Sequence, residues 1–160
     1  MKNIRIMVNW VAAFVFCCVS VVDVTADDAN NPFKFRVILD ACTDSEVTLT
    51  VLVQNITSDD MILVGGDIGE FIVFNPKTKL VPDFRMASHH ADTEITTVEA
   101  GKTFKKSVTV KMTPKFAKRD FTEERIGRVT LNVRYRRRDE NDYKKVRVSQ
   151  DLEYKKAGNL

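Results

Sequence analysis

Cysteine, histidine and tryptophan are scarce in this chain, and where they fall matters more than how few there are. Cys17, Cys18 and the single tryptophan, Trp10, all lie in the first 26 residues. Cys42 is then alone, so no disulfide can form within Asp27–Leu160. It reads as a small apolar residue buried near a strand, with an intermolecular bridge or a reactive thiol as the alternatives. The two histidines, His89 and His90, are neighbours in one polar stretch. An excess of one charge is also missing. The formal net charge of +3 becomes +2 once Lys2, Arg5 and Asp23 are set aside with the leader. Bulk charge therefore excludes a nucleic-acid protein, and any electrostatic role must come from local patterning.

What is present begins with Met1–Ala26. Lys2 and Arg5 form a basic head, Ile6–Val22 an apolar run, and Val24-Thr25-Ala26 a small-residue approach to Asp27-Asp28. This is the pattern of a secretory signal peptide. An uncleaved anchor is the competing reading, because a membrane span needs ~20 apolar residues. Ala26 favours cleavage. Phe16 and Cys17 precede the two leader cysteines, where a lipidated cysteine wants a small residue. The sequence thus predicts an exported protein, periplasmic or extracellular, with no membrane span after cleavage. Asp27–Leu160 is one domain's length, well above the ~40 residues below which staples become necessary.

After the polar lead Asp27–Pro32, apolar residues recur with a period of two. Phe33, Phe35, Val37 and Leu39 alternate with Lys34, Arg36 and Asp40. Val47–Val53, Phe104–Met112 and Val129–Tyr135 follow the same rhythm, and Val146–Tyr154 gives a final strand. Met61–Val64 and Glu70–Phe74 are shorter apolar runs, with Gly65-Gly66-Asp67 between them as turn chemistry. The one helical candidate is Pro114–Arg125, with Thr113 as cap, Pro114 at the first position, and Thr122 capping a second turn. The expected fold is an all-β, immunoglobulin-like antiparallel sandwich of about seven strands with one short helical crossover.

The apolar pattern implies a register for the last hairpin. Pairing Tyr135 with Val146 puts Val133 opposite Val148, Leu131 opposite Gln150 and Val129 opposite Leu152. The outer face then sets Arg136 against Lys145, Arg134 against Arg147, Thr130 against Asp151 and Arg128 against Glu153. A one-residue slip would mix the two faces. Gln150 either ends the core face or needs a buried partner.

This basic face, Arg134, Arg136, Lys145 and Arg147, is the sharpest candidate site. Like charges opposite one another lose a few tenths of a kcal/mol per pair, roughly. Such a patch suits a protein partner with an acidic surface, an anionic glycan or lipid head groups. The competing reading is a solvated face that Asp139, Glu140 and Asp142 fold back to neutralise. No aromatic residues interleave with the arginines, which disfavours single-stranded nucleic acid.

A second candidate is Met86, His89 and His90, which with Asp92 and Glu94 could hold copper or zinc. A closed zinc site wants four ligands at defined spacing, and an ordinary polar loop is the alternative. Gly65-Gly66-Asp67-Ile68-Gly69 leads into a strand-like run, not the helix a phosphate loop requires. Asn55-Ile56-Thr57 is a glycosylation triplet if the host is a eukaryote. Otherwise Asn55 and Thr57 hydrogen-bond the turn backbone. Ser88 beside His89 has no third member, and Asp59-Asp60 lacks two opposed environments. No catalytic residue or cofactor is predicted.

The stretch Val51–Val110 resembles secreted bacterial immunoglobulin-like domains. The resemblance rests on Leu52–Thr57, Phe71-Ile72-Val73, Val81 and Val98–Phe104, with Ile126–Leu131 beyond the crossover. In rhythm it is similar to a proteinase-inhibitor-type immunoglobulin-like family. That resemblance implies the sandwich fold and a non-enzymatic binding module, one version of which inhibits a hydrolase. A periplasmic metal-handling protein is the alternative.

Overall fold

Alternating side chains resolve into two facing antiparallel sheets. The computed structural model describes residues 31–43, 45–78, 81–87, 94–119 and 122–154. The predicted leader, residues 1–26, lies outside them. Eight strands occur among the described residues: β1 (Phe33–Cys42), β2 (Glu46–Asn55), β3 (Met61–Phe74), β4 (Phe84–Ala87), β5 (Ile95–Val98), β6 (Thr103–Lys111), β7 (Arg125–Arg137) and β8 (Lys144–Tyr154). One sheet has the order β1-β2-β6. The other has β4-β3-β7-β8, with β5 also paired to β3.

The core lies between the sheets and is built by the period of two. Phe33, Phe35 and Val37 of β1, Val47, Leu49, Val51 and Val53 of β2, and Val129, Leu131 and Val133 of β7 all point inward and are buried. Aromatic rings close both ends. Phe33 meets Tyr135 edge-on at 5.2 Å, and Phe116 sits 5.1 Å from Phe84 and 5.9 Å from Tyr154. Cys42 is only half-buried, at the end of β1, where it packs against this core.

Four sequence expectations need correction. Met61–Val64 and Glu70–Phe74 are one strand, and Gly65-Gly66-Asp67 is not a turn. β7 pairs along the whole length of β3, with register shifts between Gly65 and Ile68 and between Ile68 and Glu70. Gly65 has φ +101°, so the extra residues are absorbed as a bulge at a position that suits glycine. On its other edge, β3 pairs first with β5 and then with β4. Two expected strands merge into β3 and these two short ones are added, so eight strands stand where about seven were expected.

The helix is also shorter than predicted. It covers Pro114–Ala117, with Thr113 as N-cap accepting from the Phe116 N–H and Pro114 in the first turn. Phe116 anchors it in the core. Arg125, expected to end the helix, starts β7 instead. Its Nε lies 2.6 Å from Asp83, which also takes Arg119 at 2.9 Å. The crossover between sheets is therefore one helical turn followed by a pinned loop.

The final hairpin keeps its predicted faces but not its register. Tyr135 stands opposite Lys144, Val133 opposite Val146, Leu131 opposite Val148 and Val129 opposite Gln150. The displacement is two residues, which leaves inward side chains inward. On the outer face, Arg134 opposes Lys145, Asn132 opposes Arg147, Thr130 opposes Ser149 and Arg128 opposes Asp151. The predicted opposition of Arg134 with Arg147 and of Arg136 with Lys145 does not occur.

Gln150 has the buried partner that its place on the core face requires. It is buried on the core face, where its Oε1 accepts from the Val37 N–H at 2.8 Å. Its Nε2 donates to the Val37 carbonyl at 2.9 Å. β1 and β8 are outer strands of different sheets, and this side chain supplies the missing rung between them.

Candidate functional site

The outer face of the larger sheet divides into two halves of different electrostatic character. In the half nearer β4, each cation meets an acid. Arg128 donates from Nε and Nη2 to the two oxygens of Asp151 at 2.6 and 2.8 Å, with its guanidinium 5.2 Å from the Phe74 ring. The hydrogen bond to Asp151 raises the Arg128 pKa above its ordinary value. Glu70 takes Arg85 at 2.7 Å and Arg147 at 3.9 Å. Thr130 and Ser149 share a hydrogen bond of 2.9 Å.

The half nearer the hairpin tip lacks this compensation. Arg134 and Lys145 are exposed, directly opposite one another, and neither has an acidic partner among the described residues. Arg134 also opposes Val64 on β3, and Val64 opposes Ile95 on β5. Ile95 is 65 % exposed, a high value for an isoleucine on a sheet. One row across four strands thus reads Ile95, Val64, Arg134, Lys145, apolar at one end and cationic at the other.

The other two residues of the predicted patch are used differently. Arg136 turns into the loop, where Nη1 donates to the carbonyls of Arg137, Arg138 and Glu140, and its guanidinium lies 5.3 Å from the Tyr143 ring. Arg147 remains exposed but leans toward Glu70. The acidic loop does fold back, through one residue. The Glu140 carboxylate accepts from Lys144 at 2.9 Å and from the Arg137 N–H at 3.2 Å. Those two bonds hold its carboxyl below the usual carboxylate range. Ile95 and Val64 escaped sequence reading because their membership depends on β5 pairing beside β3.

Asn55 hydrogen-bonds the turn backbone, the second of the two readings its sequence allowed. It is fully buried, and Nδ2 donates to the carbonyls of Asp59 and Val98 at 2.7 and 3.0 Å. Oδ1 accepts from the N–H and hydroxyl of Thr57. The nitrogen that would carry a sugar is enclosed and fully used. Met86 lies on β4 and packs against the core. His89 and His90 lie outside the described residues, as does Ser88. Among the described residues no group of three metal-ligating side chains comes together. Asp59 and Asp60 serve turns: Asp59 lies 3.5 Å from Arg137, and Asp60 accepts from the Ala100 N–H.

A shallow cleft of about 300 Å³ lies beside the hairpin loop, lined by Ile56, Met61, Tyr135, Arg137, Glu140 and Lys144 among others. Ligand pockets start at about this size. Its two cations already face acids, Arg137 with Asp59 and Lys144 with Glu140. The Arg134–Lys145 row is the better-supported site because neither charge meets an acid among the described residues. No protein-family model matches the chain, and no curated protein matches it. Among the described residues no helix is long and apolar enough to cross a membrane.

Proposed function

We propose that this protein is an exported, non-enzymatic binding module that engages an acidic surface of a protein partner through the row Ile95–Val64–Arg134–Lys145. The observation that carries this reading is the Arg134–Lys145 opposition, with no acid beside either residue among those described. Two like charges across a ladder cost stability, and a partner's carboxylates would return it. The adjacent apolar end supports a protein partner over a glycan or a lipid head group, because it offers surface to bury beside the ion pairs. The leader pattern supports export to the periplasm or the medium. Inhibition of a hydrolase, the version suggested by the proteinase-inhibitor-type resemblance, is one form such binding takes.

The test is affinity capture from the native envelope or medium with the parent protein and the double variant Arg134→Glu, Lys145→Glu. A partner retained by the parent, lost by the variant and released by added salt supports the reading. Equal retention by both proteins removes it.

A further inference from the structure

The edges of the two sheets are not treated alike. β1 and β8 are long, but Gln150 bridges them at Val37. β4 and β5 have four residues each. β6 has nine and, among the described residues, pairs only with β2. Its register with β2 is unbroken, from Glu46 opposite Lys111 to Gln54 opposite Thr103.

The hydrogen bonds flanking β6 establish which backbone groups face outward. The Asn55 N–H donates to the Lys102 carbonyl at 2.9 Å, and the Met112 N–H donates to the Ser45 carbonyl at 2.7 Å. In an antiparallel ladder, bonded pairs alternate with non-bonded ones. Even-numbered residues between these points therefore address β2. Thr103, Lys105, Ser107, Thr109 and Lys111 turn their N–H and C=O groups to the open edge, and their side chains lie exposed on the outer face. On the opposite face, Phe104 and Val108 are half-buried at the rim of the core. Lys106 also points that way and is held by Glu94 at 2.8 Å.

We propose that β6 is a strand-addition site for an extended segment of a partner protein in which apolar residues alternate with polar and acidic ones. An added strand would pair with the outward backbone groups. Its inward side chains would cover Phe104 and Val108, and its outward side chains would lie beside Lys105 and Lys111. Acids six residues apart meet both lysines. Ser107 and Thr109 leave room for larger neighbours. A second copy of β6 is disfavoured, because Lys105, Lys106 and Lys111 from each chain would crowd one ladder. Edge lysines thus select against self-pairing while favouring an acidic strand. This surface is separate from the Arg134–Lys145 row, so either proposal can fail alone.

The probe is a fluorescent nine-residue peptide with valine at alternate positions, glutamates six residues apart and threonine elsewhere, titrated by anisotropy into the purified protein. Saturable binding is expected, weakened at least tenfold by Ser107→Pro, which removes an outward N–H and spares the bonds to β2. A peptide N-methylated along the edge that meets β6 should lose binding to the unaltered protein, which serves if the proline variant does not fold. Lys105→Glu with Lys111→Glu should weaken binding comparably, and Arg134→Glu with Lys145→Glu should leave it unchanged. The proposal is overturned by absence of saturable binding, by equal binding of the N-methylated peptide, or by a dimer in sedimentation that Ser107→Pro dissolves.

Discussion

The side-chain amide of Gln150 bonds both backbone groups of Val37, a residue 113 positions away. An amide presents a donor and an acceptor side by side at every pH, as a strand backbone does. Gln150→Leu keeps the volume and leaves the Val37 N–H and C=O unpaired in the interior. The expected loss is about 2–4 kcal/mol in denaturant unfolding. Gln150→Glu separates bonding from shape. It should be more stable in acid than at neutral pH, since only the protonated carboxyl can donate to the Val37 carbonyl.

Asn55 is the corresponding point at the β2–β3 turn. Asn55→Ala removes four hydrogen bonds at a fully buried position, and a loss of about 3 kcal/mol or more is expected. Asn55→Asp keeps the acceptor for Thr57 but turns an oxygen toward the Asp59 and Val98 carbonyls. Thermal unfolding should place both variants well below the parent, and near-parent stability of Asn55→Asp would refute this account.

Gly127 tests the packing between β7 and β3. A Cβ there would lie 3.1 and 3.3 Å from the Phe71 ring, which is buried and has little freedom to yield. Gly127→Ala should cost about 1–3 kcal/mol. Combining it with Phe71→Leu should give less than the sum of the single effects, because the smaller side chain vacates the contact.

Glu140 gives a pH dependence of known sign. Its carboxyl is held below its ordinary value of 4.5 by the Lys144 hydrogen bond and then by the Arg137 N–H. A lowered folded-state value means that these contacts stabilise the loop above the ordinary value and are lost as pH falls through the lowered one. The Arg137 amide proton should shift in NMR with a midpoint below 4.5, and Glu140→Gln should abolish that shift while leaving the core resonances in place.

The elements were legible to different depths. β1, β2, β6, β7 and β8 follow from alternation alone, because one face of each is dry. β4 and β5 were not legible, since four residues such as Ile95–Val98 carry too short a pattern and borrow their place from β3. Gly65-Gly66-Asp67 has turn composition, yet pairing with β7 on both sides holds the chain extended through it. Of the predicted patch, Arg134 and Lys145 come together. Arg136 goes to the loop because three carbonyls there accept from it.

The class, the inward and outward faces, and the place of the crossover at Thr113-Pro114 are written in the local sequence. Each of these depends on a local period or a local cap. Tertiary structure alone decided the register of β7 against β8. Side chains alternate with a period of two, so the apolar pattern is blind to a slip of two residues. Cross-strand side-chain contacts mark the observed register: Arg128 with Asp151, Thr130 with Ser149. That same register puts Arg134 opposite Lys145 and aligns both with Val64 and Ile95.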